Sequence, residues 1–347
     1  MQENHQSYRR TVEFKPGARN LFFHILTACN LSCRHCYINK DQHGGNMLNM
    51  EDIRTWLRVF HGGRVEETNV IFLGGEPTLH PQLPEAVRAA RELGYSSVTI
   101  DTNGFLFHDL LVRLSPAELD YLSFSLDGSC PQVNDSIRGE GVFDVCTRNI
   151  QRAVRAGFAV SSIFTVSRMN LGDLPNMPAL LHGLGVRRFF IQVVGIRGNS
   201  GRMTKCTQGV ELQVARRDWE NVVPEVARHA ASLGIHVTFP KVFLDVSEPF
   251  QCAGLVADNY FVFPNGRVYR CPLCEDYAIH SMEICDGELR KRPPITEREL
   301  FPLNIPEGCV FNRILQPGNI SYDASGVPVN KIACCMLKEE IVPLPKN

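Results

Sequence analysis

No apolar run in the chain approaches the roughly 18 residues that cross a bilayer as a helix. Positive charge is not in excess either: 36 Lys and Arg stand against 37 Asp and Glu, which argues against a nucleic-acid footprint. The opening stretch MQENHQSYRRTVEFKPG is polar and lacks the apolar segment of a secretory signal. Repeats and low-complexity linkers are missing as well. These absences read as a cytosolic chain with neither membrane nor nucleic acid among its partners. Apolar residues make up 44% of the sequence and charged residues 21%, an ordinary globular balance. At 347 residues the chain exceeds the size at which one core stops growing, so one large domain with a smaller one is expected.

Cysteine is the exception, with 13 in a chain without an export signal. A reducing compartment disfavours disulfides, so metal ligation or redox chemistry is the better account. Three cysteines crowd one short loop, TACNLSCRHC, at Cys29, Cys33 and Cys36. Cys130, Cys146 and Cys206 are scattered, fit no ligand spacing and read as small buried apolar residues, with Cys130 the one that could face a cavity. The rest are Cys252, Cys271, Cys274, Cys285, Cys309, Cys334 and Cys335. Two metal centres in two regions is the simplest reading.

Short β-rich runs recur along the first two thirds: LFFHIL from Leu21, NVIFL from Asn69, SVTI from Ser97, YLSFSL from Tyr121, VSSIFTV from Val160 and RFFIQVV from Arg188. Each is followed by a polar or Gly-containing turn and then a segment of helical periodicity, such as EDIRTWLRVF and LPEAVRAARELG. Six strand–helix units predict a parallel sheet with helical crossovers, an α/β fold of the open, partial (β/α)6 TIM-like barrel type. Ligands gather at the C-terminal strand ends of such sheets. The chemistry-bearing residues sit there: Cys29 after the first strand, Gly74-Gly75-Glu76-Pro77 after the second, Thr102-Asn103-Gly104 after the third. Ser125, Asp127 and Gly128 close the fourth, and Gln192 with Gly195 the sixth. A long helix is expected over 214–233. The domains are then an extension over 1–20, the barrel over 21–235 and a cysteine-rich region over 236–347. In that last region YFVFPNGRVYRC reads as a hairpin turning at Pro264-Asn265-Gly266.

Three thiolates in one loop hold an iron–sulfur cube by three corners and leave the fourth iron open. CNLSCRHC resembles the CxxxCxxC signature of the radical S-adenosylmethionine enzymes. GGEP, TNG and SLDG resemble further motifs of that family, and NDSIRGEGVF resembles a stretch of its peptide-modifying branch. The resemblance implies a [4Fe–4S] cluster on Cys29, Cys33 and Cys36 with S-adenosylmethionine at its open iron. It further implies cofactor contacts from Gly74, Gly75, Glu76, Asn103, Ser125 and Asp127. Arg138 is the candidate partner of the cofactor carboxylate, since a guanidinium matches that group bidentately. Two departures stand out: His35 replaces an aromatic residue common in the family, and Asn134 replaces a His. Read without the motifs, Glu76 is a surface carboxylate, His24 a satisfied core histidine, and Tyr37 either packing or an adenine contact.

Cys252, Gly266 and Cys271 have the Cx₉₋₁₅Gx₄C spacing that resembles auxiliary-cluster domains of the SPASM or shorter twitch type. One auxiliary [4Fe–4S] cluster on Cys252, Cys271, Cys274 and Cys334 is the expectation, with Cys309 the main competitor and Cys335 the alternative of the pair. A structural zinc knuckle at CPLC is the other reading. Neither cysteine pair reads CxxCH, so covalent haem attachment has no support.

The function expected is hydrogen abstraction from a substrate by a 5′-deoxyadenosyl radical, the substrate being a peptide or protein side chain. The alternative substrate is a small molecule, by dehydrogenation or in making a cofactor or tetrapyrrole precursor. A non-enzymatic iron–sulfur or zinc protein is the remote alternative. A flavodoxin- or ferredoxin-type one-electron donor is the implied partner. About 20 residues precede the first strand, which leaves no room there for a winged-helix peptide-binding domain, and no cobalamin domain is seen. The catalytic acid or base stays unknown. Glu275 and Asp276 are candidates, although surface carboxylates beside a turn are the commoner case, and the loop 195–202 is either a lid or anion contact or a solvated loop.

Overall fold

The structure, a computed structural model, describes residues 17–63, 68–201, 212–293, 295–315 and 317–343. Cys206, Arg202 and residues 1–16 lie outside the described residues. All six apolar runs form strands: β1 (Arg19–His24), β2 (Thr68–Leu73), β3 (Ser97–Thr102), β4 (Tyr121–Ser125), β5 (Val160–Val166) and β6 (Arg188–Val193). They lie side by side in chain order, every pair parallel. A seventh strand, β7 (His236–Pro240), continues the parallel run on β6. It follows the long helix Arg216–Ser232.

The C-terminal region grips both edges of this parallel run. After the two-residue β8 (Phe243–Leu244), β9 (Asp258–Val262) pairs parallel with β1. The hairpin to β10 (Arg267–Tyr269) forms, with Gly266 at φ +84, and β11 (Met282–Cys285) and β12 (Glu288–Lys291) extend it antiparallel. β13 (Lys331–Ile332) pairs with β8, and β14 (Lys338–Ile341) lies antiparallel on β7 at the far edge. Twelve of the strands make one sheet.

Side chains alternate along each strand, and here the two faces have different jobs. Leu21 and Phe23 of β1, Val70 and Phe72 of β2 and Val98 and Ile100 of β3 point outward into the main apolar core shared with the helices. The inner face is polar at one end: Asn20 donates to Asn259 at 2.8 Å, Asn69 to Asn20 at 3.1 Å and Ser97 to Asn69 at 2.9 Å. Further along the same face Phe22, Leu73, Asp101, Ser125, Ile163, Thr165 and Gln192 line a cavity at the C-terminal strand ends. Among the described residues no helix is long and apolar enough to cross a membrane.

Candidate active site

The chain leaving β1 does not turn away at once. Ile25 donates to Leu73, and Gly75 and Glu76 donate to Leu26 and Ala28 at 3.0 and 2.9 Å, so residues 25–28 run alongside the end of β2. This close approach explains the glycines of GGEP. A Cβ on Gly75 would stand 2.3 Å from the Ala28 carbonyl oxygen, and one on Gly74 2.8 Å from that of Leu26. The glycines therefore admit the cysteine loop's own backbone, a role the motif alone did not reveal.

That loop delivers Cys29, Cys33 and Cys36, each partly exposed, to the wall of a cavity of about 340 Å³. Gly74, Gly75, Glu76, Asn103, Ser125 and Arg138 line the same cavity. Burial pushes all three thiols up, Cys33 to about 11 even with Arg138 opposing it. Thiols held this way become thiolates when a metal's charge offsets the desolvation. Asn103 reaches Cys29 Sγ with its amide nitrogen at 3.8 Å, and Arg138 reaches Cys33 Sγ at 4.0 Å.

Two carboxylates near this rim are held by partners within the protein. Glu76 is buried rather than on the surface. Its Oε1 accepts from the Thr78 and Thr102 hydroxyls, both at 2.7 Å, and from the Thr78 amide, while Oε2 accepts from the Asn103 amide at 2.7 Å. Both oxygens thus tie the end of β2 to the end of β3, which positions Asn103. Asp127 is wholly buried and stands behind the cavity wall instead of on it. Its Oδ2 lies 2.6 Å from Arg138 and 2.7 Å from His35, and its Oδ1 accepts from the Thr165 amide at 2.7 Å. Burial alone would raise this carboxyl, but Arg138 and then His35 hold it at about 2. Arg138 consequently has a carboxylate partner within the protein, yet its Nε is buried without one among the described residues.

Over its described part the loop after β6 is packed against its neighbours rather than solvated. Asn199 donates through its amide to Cys36 O at 2.8 Å and through its side chain to Cys33 O at 3.0 Å. Arg197 donates to Pro272 O at 2.5 Å and to Glu275 at 2.9 Å, and Gly198 N donates to Asp276 at 3.0 Å. Glu275, read as a surface carboxylate, is buried, and burial pushes it up to about 8 against the pull of Arg197. Tyr37 packs under Arg197 and hydrogen-bonds His24 at 2.9 Å, and His24 stacks on Phe263 with 4.1 Å between centroids.

The far wall of the cavity comes from the C-terminal region. Asn312, Cys335, Met336 and Lys338 line it, with Lys338 donating to Gln192 at 2.7 Å. The sequence carries no motif that could have placed Cys335 or Lys338 there, nor Asp101 on β3. A second, much smaller cavity lies behind this wall, lined by Cys252, Cys271, Cys309 and Cys334. Cys274 is buried beside it, its amide donating to Cys271 O at 3.2 Å. Cys309 therefore shares the cavity with three of the four expected ligands. The consecutive Cys334 and Cys335 face different cavities. Cys285 lies away from both, on β11. Glu297, fully buried, accepts from the Arg270 and Cys271 amides at 2.6 and 3.1 Å. Among the described residues no three His, Cys, Asp or Glu side chains gather around one point as a single metal ion requires.

Residues 24–177 match the sequence profile of the Radical SAM superfamily. This match spans less than half of the chain and marks a radical SAM domain within it. The chain is 27% identical over 271 residues to a protein of Saccharolobus solfataricus named probable GTP 3′,8-cyclase, covering 76% of this chain and 86% of that one. It is 33% identical over 200 residues to the Fe-coproporphyrin III synthase of Methanosarcina barkeri, 56% of this chain but 48% of that protein. Among solved structures, Streptococcus suis SuiB bound to precursor peptide SuiA superposes with a TM-score of 0.58 at 16% identity. That match covers 80% of this chain and 64% of SuiB, and it establishes a shared fold. A [4Fe–4S] cluster and S-adenosylmethionine are the cofactors of this superfamily.

Proposed function

We propose that the chain is a radical SAM enzyme in which Cys29, Cys33 and Cys36 hold the cofactor-binding [4Fe–4S] cluster and the C-terminal region holds one auxiliary [4Fe–4S] cluster. The single observation that carries this is the shared cavity: the three-cysteine loop forms one wall, and the wall opposite, Cys335 to Lys338, backs directly on a second cysteine-lined cavity. The residues present fit the cofactors. Three thiols from one loop meet the cavity, the guanidinium of Arg138 is buried there with an unpartnered Nε, and Asn103 is fixed at the rim by Glu76. When bound, the cluster and S-adenosylmethionine supply a 5′-deoxyadenosyl radical. The protein's part is to orient the substrate hydrogen toward it and to keep water out.

For the auxiliary centre, Cys252, Cys271 and Cys334 are the core of the ligand set, with Cys274 and Cys309 competing for the fourth place. Residues 21–235 then serve as the barrel and 236–347 as the auxiliary region, its strands stapled to both sheet edges.

A cavity of about 340 Å³ sits near the low end of the roughly 300–1,000 Å³ found for ligand pockets. It must also take the nucleoside of the cofactor. The remaining room suits a peptide or protein side chain, or the reacting end of a small molecule, better than a whole macrocycle. The small-molecule reading draws its support from the GTP cyclase and coproporphyrin synthase names of the sequence relatives. Electrons come from a flavodoxin- or ferredoxin-type donor in this scheme.

The test is anaerobic turnover with dithionite and S-adenosylmethionine. Formation of 5′-deoxyadenosine by the wild type, and not by Cys33→Ala, supports the reading. Its absence from the wild type with iron bound overturns it. Presenting a peptide pool, GTP and iron coproporphyrin in parallel, with mass spectrometry of each, separates the substrate classes.

A further inference from the structure

Spacing pairs Cys271 with Cys274, yet the small cavity behind the Cys335–Lys338 wall is lined by Cys252, Cys271, Cys309 and Cys334 and not by Cys274. Separate segments bring these thiols together, and hydrogen bonds hold the segments. Cys252 opens the short helix Ala253–Val256, and Arg270, the residue before Cys271, donates to Ala257 O at 2.8 Å where that helix ends. Cys309 donates through its amide to Ile332 O at 3.0 Å, and Ile332 donates to Glu307 O at 2.9 Å. Residues 307–309 thus run beside β13, just ahead of Cys334. Gly308 makes this approach possible: it has φ +88, and a Cβ there would stand 2.6 Å from Ile332 O. Asn312 closes the arrangement by donating to Ala333 O at 2.7 Å.

Cys274 has other neighbours. It is wholly buried, and the side chains acting on its thiol are Cys271, Glu297 and Glu275. Those acting on Cys309 include Cys334, Cys271 and Cys252, the other three thiols of the cavity. An iron–sulfur cube takes one thiolate at each of its four corners. Among the described residues, the four thiols that surround one space are the set containing Cys309.

We infer that Cys309, and not Cys274, is the fourth ligand of the auxiliary cluster, so that Cys252, Cys271, Cys309 and Cys334 close the centre on every corner. The inference rests on the auxiliary-cluster reading above and is independent of the cluster on Cys29, Cys33 and Cys36. A closed centre leaves no iron to coordinate substrate, which the walls of the large cavity must then hold by themselves. Cys335, next to a ligand, lines that large cavity and takes no part in the cluster.

The test uses the full chain carrying Cys29→Ala/Cys33→Ala/Cys36→Ala, reconstituted without oxygen, in which only the auxiliary centre can hold iron. Iron and sulfide are counted, and the dithionite-reduced cluster is followed by electron paramagnetic resonance with and without 2-mercaptoethanol as an external thiol. The expected result is about four irons and a spectrum that the thiol leaves unchanged. Adding Cys274→Ala keeps both. Adding Cys309→Ala removes the iron, or leaves a three-thiol cluster whose spectrum shifts with the thiol. A Cys274→Ala chain that loses its iron, beside a Cys309→Ala chain that keeps the full complement and an unchanged spectrum, overturns the inference. A triple variant whose own spectrum shifts with the thiol overturns it as well, because an iron is then open. Should an alanine unfold the chain, as circular dichroism would show, serine at the same place still decides. Oxygen in place of a ligating sulfur alters the spectrum, so a change at 274 with none at 309 overturns the inference. A triple variant that binds no iron at all overturns the auxiliary-cluster reading itself, a result distinct from the others.

Discussion

The guanidinium carbon of Arg197 stands 4.7 Å from the centre of the Tyr37 ring, one residue beyond Cys36. The same guanidinium donates to Glu275, one residue beyond Cys274. Arg197 therefore fastens the cysteine loop of the barrel to the cysteine turn of the C-terminal region. Arg197→Met removes the cation and leaves Glu275 buried without it. With Glu275 pushed up to about 8, its carboxyl is largely protonated at neutral pH, so the expected loss is that of the buried hydrogen bonds Arg197 makes, about 1–3 kcal/mol. Urea unfolding measures the loss. A change under about 1 kcal/mol, the scale of an exposed ion pair, would contradict this role.

Gly198 makes the neighbouring contact, with φ +54 and a site where a Cβ would fall 2.4 Å from Cys36 O. The obstacle is backbone, which cannot swing aside as a long side chain can. Gly198→Ala is expected to lower stability by about 1–3 kcal/mol and to loosen the cysteine loop, seen as faster loss of iron to a chelator. Gly201 is the control: its nearest contact would be 3.6 Å away at Ile196 O, so Gly201→Ala should stay within about 0.5 kcal/mol of wild type. Equal behaviour of the two variants would contradict the close packing of this loop.

Asp101 lines the cavity from the inner face of β3, and burial pushes its carboxyl up to about 7. The folded state then holds the proton more tightly than the unfolded chain, where the ordinary value is 3.8. The sign follows: its contribution is most favourable below about pH 4, is lost progressively as pH rises toward 7, and levels off above that. Asp101→Asn removes this dependence. Its melting temperature relative to wild type should rise between pH 4 and pH 7 and stay flat beyond. A constant difference across that range would show that the carboxyl is well solvated.

How far the sequence could be read depended on the range of the interactions involved. The six strands were legible because alternation and β-branched composition are local, and the motifs at their ends marked one rim. The direction of Asp127 was not legible. The same SLDG residues serve a carboxylate on the cavity wall or one behind it, and the choice rests on Arg138, His35 and Thr165 arriving from three other segments. Glu275 passed for a surface residue because the arginine that buries it lies 78 positions earlier. Spacing found Cys252, Cys271 and Cys274 across one hairpin. It could not tell that Cys309 shares a cavity with Cys252 and Cys271 or that Cys334 and Cys335 line different cavities, since both follow from how residues beyond 300 pack. The pairing of β9 on β1 was hidden for a related reason: a short apolar run carries no mark of its partner.

The most direct measurement is a count of iron and sulfide after anaerobic reconstitution, in the wild type, in Cys29→Ala/Cys33→Ala/Cys36→Ala and in Cys252→Ala/Cys271→Ala/Cys334→Ala. Two [4Fe–4S] centres give about eight irons in the wild type and about four in each variant, with 5′-deoxyadenosine lost only in the first variant. A first variant that holds no iron would remove the auxiliary cluster, and a wild type that binds iron yet never cleaves S-adenosylmethionine would contradict the enzyme itself.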